Sequence, residues 1–412
     1  VLPGSGDNAR EREVVLRYLE DQTNTKLYWK AEHVPITPLL QALESTKHFR
    51  FNELDKLTRL SLTGEILESS GVWSTKDESD PKWYVTAKIG NVSSSSIGSL
   101  PGISGLQAIV RADPQKALIS FDASKFNLFH DTSLSKSVFF DEFSGQVEWT
   151  KDPTGMGLKT ESLSGNAAGI RFRLTLDAKR MATPEQQLNM RISFDSSEAE
   201  RFKEIIPKGI FPGRGDTWAR NLIEKGRINR GEFFFQGNPN KVPKKKSDGF
   251  LRLIFDINDA TLRYSSRWPL ANRVNGTVAV NGKETTFVVR NGFIQGAAIK
   301  AAKITMPDSF TKRRWIKVVG TAEGPGHTIG QIVENSPLRD GKAVRLTELD
   351  VNGDVLFNVN SIFPIHKLSL PQGKTRKHTG KLTFLNNQIR FKNSGLKLEN
   401  FQGDITFENS NW

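Results

Sequence analysis

Apolar and polar residues alternate with a period of two over most of this chain. Ile170, Phe172, Leu174 and Leu176 interleave with Arg171, Arg173, Thr175 and Asp177. Leu251, Leu253, Phe255 and Ile257 interleave with Arg252, Asp256 and Asn258. Met190, Ile192 and Phe194, and further upstream Ile119 and Phe121, keep the same rhythm. Near the end come Leu382 and Phe384, then Ile389 and Phe391, then Leu396 and Leu398, then Ile405 and Phe407. Each set predicts a strand with one apolar and one polar face. Gly165-Asn166, Asn386-Asn387 and Asn393-Ser394-Gly395 supply turn chemistry between them.

Helical spacing is rarer. It predicts short helices over Arg10–Asp21 (Val14, Val15, Tyr18, Leu19), after Pro38 (Leu39, Leu40, Leu43) and from Asn52 to Leu60. Two more are predicted from Ser197 to Ile206 and from Asp216 to Lys225. The last has Trp218, Leu222 and Ile223 on one face and Gly226 at its stop.

A longer period overlies the strands. A short lead-in to Gly is followed by an alternating run at Gly64, Gly105, Gly145, Gly276, Gly353 and Gly403. The first three glycines stand 41 and 40 residues apart, and the last two 50 apart. This predicts a repeat protein whose unit is several short strands. A glycine before a strand is common in any β protein, but here the units agree in both glycine and alternation.

Composition narrows the function classes. The 412 residues carry no cysteine, which removes disulfides, thiolate metal sites and cysteine nucleophiles together. Charged residues are 25%, too ordinary a share for wholesale disorder. The six histidines are scattered, with no metal-binding spacing, and no GxSxG elbow, phosphate loop or dinucleotide fingerprint occurs. No catalytic residue, metal ligand or cofactor is therefore assigned, and the chain is not expected to be an enzyme.

Net charge is +13, with basic clusters at Lys241–Lys246, Lys312–Lys317 and Lys374–Lys381. Such clusters suit anionic lipid headgroups, or they are solvated loops that guard sheet edges. No nucleic-acid signature accompanies the charge, so no nucleic-acid partner is expected.

The alternation itself bears on function. About twenty strands and a handful of short helices leave the helices unable to cover the apolar face. Either the sheet covers itself, as a sandwich or barrel, or an apolar ligand fills it, since soluble proteins expose only small apolar patches. At ~4.8 Å per strand, such a sheet gives a groove on the order of 100 Å long, suited to acyl chains.

One stretch is more specific. Trp218-Ala219-Arg220-Asn221-Leu222-Ile223-Glu224-Lys225-Gly226-Arg227-Ile228-Asn229-Arg230-Gly231 precedes Gly249-Phe250-Leu251. Then come Asp259-Ala260-Thr261-Leu262-Arg263-Tyr264 and Arg267-Trp268-Pro269-Leu270. This order, with Val34-Pro35-Ile36, the segment from Leu60 to Gly64 and the segment from Phe143 to Trp149, resembles the YhdP branch of the AsmA-like, TamB-related envelope proteins. The resemblance spans roughly residues 26 to 407 and is most specific over 216 to 270.

It implies a mainly β fold: an elongated repeating β-groove, an open, curved antiparallel sheet trough with a few short helices. It also implies a periplasmic segment of a protein anchored to the inner membrane, carrying phospholipids between inner and outer membranes. The opening Val1-Leu2-Pro3-Gly4-Ser5-Gly6 lacks Met and a signal sequence, and the chain is expected to be a middle segment.

The organisation expected is an N-terminal helical segment over 1–24, groove over 25–196, a helical insertion over 197–226 and groove over 227–412. The expected lining is Ile119, Phe121, Ile170, Phe172, Leu174, Leu176, Met190, Ile192, Phe194, Leu251, Leu253, Phe255, Ile257, Leu382, Phe384, Ile389 and Phe391. Trp218, Leu222 and Ile223 are expected to form a gate or cap helix, and Lys244, Lys245 and Lys246 to meet headgroups. The rival reading is an envelope scaffold that presents sheet edges to partner proteins. A carbohydrate-active solenoid would need paired carboxylates or clustered tryptophans, and Trp29, Trp73, Trp83 and Trp149 are dispersed.

Overall fold

The structure, a computed structural model, describes residues 13–21, 24–45, 59–75, 82–97, 101–130, 134, 136–181, 183–205, 217, 220–239, 241, 249–265, 268–310, 315–336, 348–364 and 376–409. Two compact units divide these residues, the first carrying strands β1 to β10. In order they are Glu13–Asp21, Asn24–Pro35, Thr63–Thr75, Lys82–Ser94, Gly102–Ala112, Lys116–Phe129, Val138–Asp152, Gly155–Ala167, Ile170–Met181 and Gln187–Phe194. Each pairs antiparallel with the next from β1–β2 through β9–β10. The helix α1 (Ile36–Ser45) follows β2 and packs on β2 and β3.

In the second unit, β11 (Ser197–Glu198) leads into helix α2 (Ala199–Ile205) and pairs with β12 (Ile223–Gly237), most of which belongs to this unit. The rest of its sheet runs through β13 (Gly249–Leu262), β14 (Ala271–Asn281), β15 (Glu284–Ile294), β16 (Ala297–Met306) and β17 (Trp315–Pro325). After helix α3 (Gly326–Glu334) come β18 (Leu349–Asn352), β19 (Asp354–Pro364), β20 (Lys377–Phe391) and β21 (Lys397–Glu408). β13 to β17 pair in sequence, β19 takes the edge of β17, and β18 and β19 both pair with β20, which carries β21. The sheet is antiparallel, as the alternation predicts, and open, as the resemblance implies.

The 41- and 40-residue recurrence has a simpler basis than several short strands. Gly64, Gly105 and Gly145 fall on β3, β5 and β7, every second strand, so one repeat is one hairpin of two long strands. At the glycine the register slips between the strand and a neighbour: beside Gly64 in β3–β4, Gly105 in β5–β6 and Gly145 in β7–β8. All three have positive φ, the conformation a bulge demands. Asn91, Ala123, Glu142, Asp259, Arg273 and Asn386 hold positive φ at other slips. Each bulge adds one residue, bends its strand and shifts the parity of the alternation, so that both halves of the strand keep the same face.

Two helical expectations are corrected. Arg10–Asp21 is strand from Glu13 onward, since β1 pairs with β2 from Glu13↔Glu32 to Asp21↔Asn24 and its β-branched valines suit that pairing. The stretch up to Lys225 is not helical at its end either: β12 begins at Ile223, and the Leu222 carbonyl accepts the Arg263 N–H at 2.9 Å in strand fashion. Gly226, at φ +122°, is therefore a strand irregularity packed against Ala260 rather than a helix stop. The expected Asn52–Leu60 helix lies almost wholly outside the described residues.

Candidate functional site: the apolar sheet faces

Residues directly opposite in a ladder share a face, so the registers trace each face strand by strand. In the first unit Leu16, Trp29 and Gly71 stand in one row. Val85, Ala112, Ala117, Trp149 and Leu158 continue it. Deeper in the sheet, Ile119 faces Val147, and Phe121 faces Gly145, which faces Leu163 and through it Leu174. Phe172, Leu174 and Leu176 meet Phe194, Ile192 and Met190 on β10, and Ile170 meets Ala167. All nine expected lining residues of this unit thus lie on one apolar face. Ile170 is 2% exposed, and the other eight are half-buried.

An aromatic cluster sits on this face, formed across bulged strands. The Phe143 ring lies 5.0 Å from that of Phe121 and 5.2 Å from that of Phe126, and Phe126 stacks on Phe140 at 4.7 Å. Phe172 joins Phe140 at 5.9 Å. Phe126, Phe140 and Phe143 were not among the expected lining. The signal for them is the parity switch after Phe121, where Ala123 takes φ +45°.

In the second unit Leu253, Phe255 and Ile257 stand opposite Val280, Val278 and Gly276. That face continues through Phe287 and Val289, Ile304 and Ala302, Val318 and Gly320 to Val359 and Phe357, and then Leu382. Leu251, two residues before Leu253, keeps the same parity. Phe384 joins through Val355. Past the bulge at Asn386, Ile389 and Phe391 meet Val351 and Leu349. Ile257, Leu382, Phe384 and Ile389 are buried, whereas Leu251, Leu253, Phe255 and Phe391 are half-buried.

Two features cover part of this face, and neither was expected. Helix α3 packs on β17, β18 and β19 with Ile329, Ile332 and Val333 buried, at the i, i+3, i+4 spacing of one helix face. Tyr264 and Trp268, from the segment after β13, lie over the sheet, with Trp268 stacked on Phe363 at 5.9 Å. Burial pushes the Tyr264 hydroxyl far above its ordinary pKa, so it stays neutral. Between these elements and the sheet is a cavity of about 80 Å³ whose lining is almost wholly apolar.

The opposite faces are polar and charge-paired. Lys116 meets Glu148 at 2.6 Å, and Lys381 meets Asp404 at 2.9 Å. Lys381 and Thr383 hold the Asp404 carboxyl below its ordinary pKa. Lys377, from an expected basic cluster, pairs with Glu408 at 2.9 Å.

The expected gate helix is not assembled as predicted. Ile223 is a buried strand residue and Leu222 a bend before it, so they share no helix face; Trp218 lies outside the described residues. Lys244, Lys245 and Lys246 also lie outside them. Among the described residues no helix is long and apolar enough to cross a membrane.

Comparison with known proteins fits this geometry. The family model "YhdP protein" matches residues 2–412. The chain is 18% identical over 313 residues to "Intermembrane phospholipid transporter YhdP" of Escherichia coli (strain K12), a match covering 76% of this chain and 24% of that protein. The chain therefore aligns with about a quarter of that relative's length. No solved structure matches the chain at a significant level. A family match over essentially the whole length, on open antiparallel strands with an apolar face in each unit, places this chain in the YhdP protein family.

Proposed function

We propose that the apolar faces of both units bind phospholipid acyl chains, as one segment of a conduit that moves phospholipid between the two membranes of a Gram-negative envelope. The observation that carries this reading is the apolar face of the first unit. It runs from β1 to β10, and the one described helix in extensive contact with these strands is α1, at β2 and β3. A strand face this apolar needs a cover, and an acyl chain supplies one at ~0.8 kcal/mol per buried CH₂. Near-equivalent rows of side chains would let a chain slide without a deep trap, and headgroups would stay at the wet margin. The work requires no bond to be made or broken. The segment is read as periplasmic, within a protein anchored to the inner membrane. The relative's name, which describes an intermembrane phospholipid transporter, supports the choice of cargo.

The test is native mass spectrometry of the purified chain followed by lipid extraction. Co-purified diacyl phospholipid at one or more molecules per chain is expected. A lipid-free, monodisperse protein that also takes up no added phospholipid would overturn the reading.

A further inference from the structure

The cavity of the second unit combines hydrocarbon walls with an indole donor. It is walled by hydrocarbon from Leu262, Ala302, Ile304, Ile332 and Phe357, yet it is also lined by Trp268, whose indole N–H is buried and has no acceptor among the described residues. Trp268 is only 8% exposed, so bulk water does not satisfy that donor. An apolar cavity stays dry, so a trapped water is a poor partner too. Stacking on Phe363 and the nearby Tyr264 ring, 6.3 Å away, fix the indole in place. A buried donor without an acceptor among the described residues, beside a hydrocarbon-walled cavity, suits an apolar chain with one hydrogen-bond acceptor.

We infer that this cavity is a seat for one acyl chain of a diacyl phospholipid, with the ester carbonyl accepting the Trp268 Nε1–H and the chain running beneath α3. The inference rests on the lipid-carrying reading and deepens it: most of the face holds lipid through hydrocarbon alone, whereas this seat reads the ester. It is a specificity point, at which ester-linked lipid pauses and ether-linked lipid does not.

The test uses the whole 412-residue chain and two probes, diheptanoyl phosphatidylcholine and its diether counterpart, titrated by calorimetry. The wild-type protein is expected to favour the ester by about three- to tenfold, the worth of one hydrogen bond. Trp268→Phe keeps the ring and removes the donor, and should abolish that preference. Ala302→Leu fills the cavity without removing the donor, and should weaken binding of both probes several-fold. Binding of both lipids with the same ester-to-ether ratio in wild type and Trp268→Phe would overturn the seat and leave acyl binding standing. So would an unchanged affinity in Ala302→Leu. Binding of neither lipid would overturn the lipid-carrying reading and the seat with it. Should Trp268→Phe not fold, the wild-type ratio decides, and a value near one overturns the seat.

Discussion

At Gly145 the backbone takes φ +131°, and a Cβ there would stand 2.3 Å from the Ser162 carbonyl oxygen. Both the conformation and the space exclude a side chain, so Gly145→Ala is expected to destabilise the fold by about 2–3 kcal/mol. Gly282 has φ +57° with nothing within 4 Å of where a Cβ would stand, and Gly282→Ala should cost only about 1 kcal/mol. Urea denaturation of the two variants checks this ordering, and equal losses would count against it. The recurring glycines were visible in the sequence at the right positions, but their meaning was not. A positive-φ glycine looks alike at a helix stop, a turn and a bulge; what separates them at Gly226 is the close approach of Ala260, which is remote in sequence. The same limit hid Phe126, which follows the parity-reversing bulge at Ala123, and Phe140, which precedes the one at Glu142.

Alternating runs made β9, β10, β13, β20 and β21 legible as elements, although bulges break the runs in β13 and β20. β1 was not, because Val14, Val15, Tyr18 and Leu19 fit a helical face as well as a strand, and only pairing with β2 decides between them. Helix α3 was missed for the converse reason. Its apolar spacing is regular, but it begins Gly326-His327 after Pro325, has no side-chain cap, and is only nine residues long. A helix that short is marginal alone, so it is held by packing on the sheet. Ile329 is 1% exposed, and Ile329→Ala should therefore cost about 2–5 kcal/mol. Gln331→Ala, on the exposed side of the same helix, should stay within about 0.5 kcal/mol of wild type. A thermal melt that lowers both variants alike would show that α3 is not anchored through its apolar face.

Across each unit, faces matter more than single residues. An apolar face traced by ladder registers runs from strand to strand, and a polar, charge-paired face backs it. This much followed from period-two alternation and a shortage of helices, because no local residue pattern has to be right for a face to persist. What alternation alone could not distinguish is an apolar face covered by a second sheet from one left for lipid, since both are written with the same residues. Photo-crosslinking separates the two. A crosslinking amino acid is placed at Phe172 or Leu253 on the apolar faces, and at Thr175 or Arg252 on the opposite ones, and the chain is exposed to phosphatidylethanolamine–phosphatidylglycerol vesicles. If the apolar faces carry lipid, phospholipid adducts form at Phe172 and Leu253 and not at Thr175 or Arg252. Adducts at all four positions alike, or at none, would refute a lipid-bearing face.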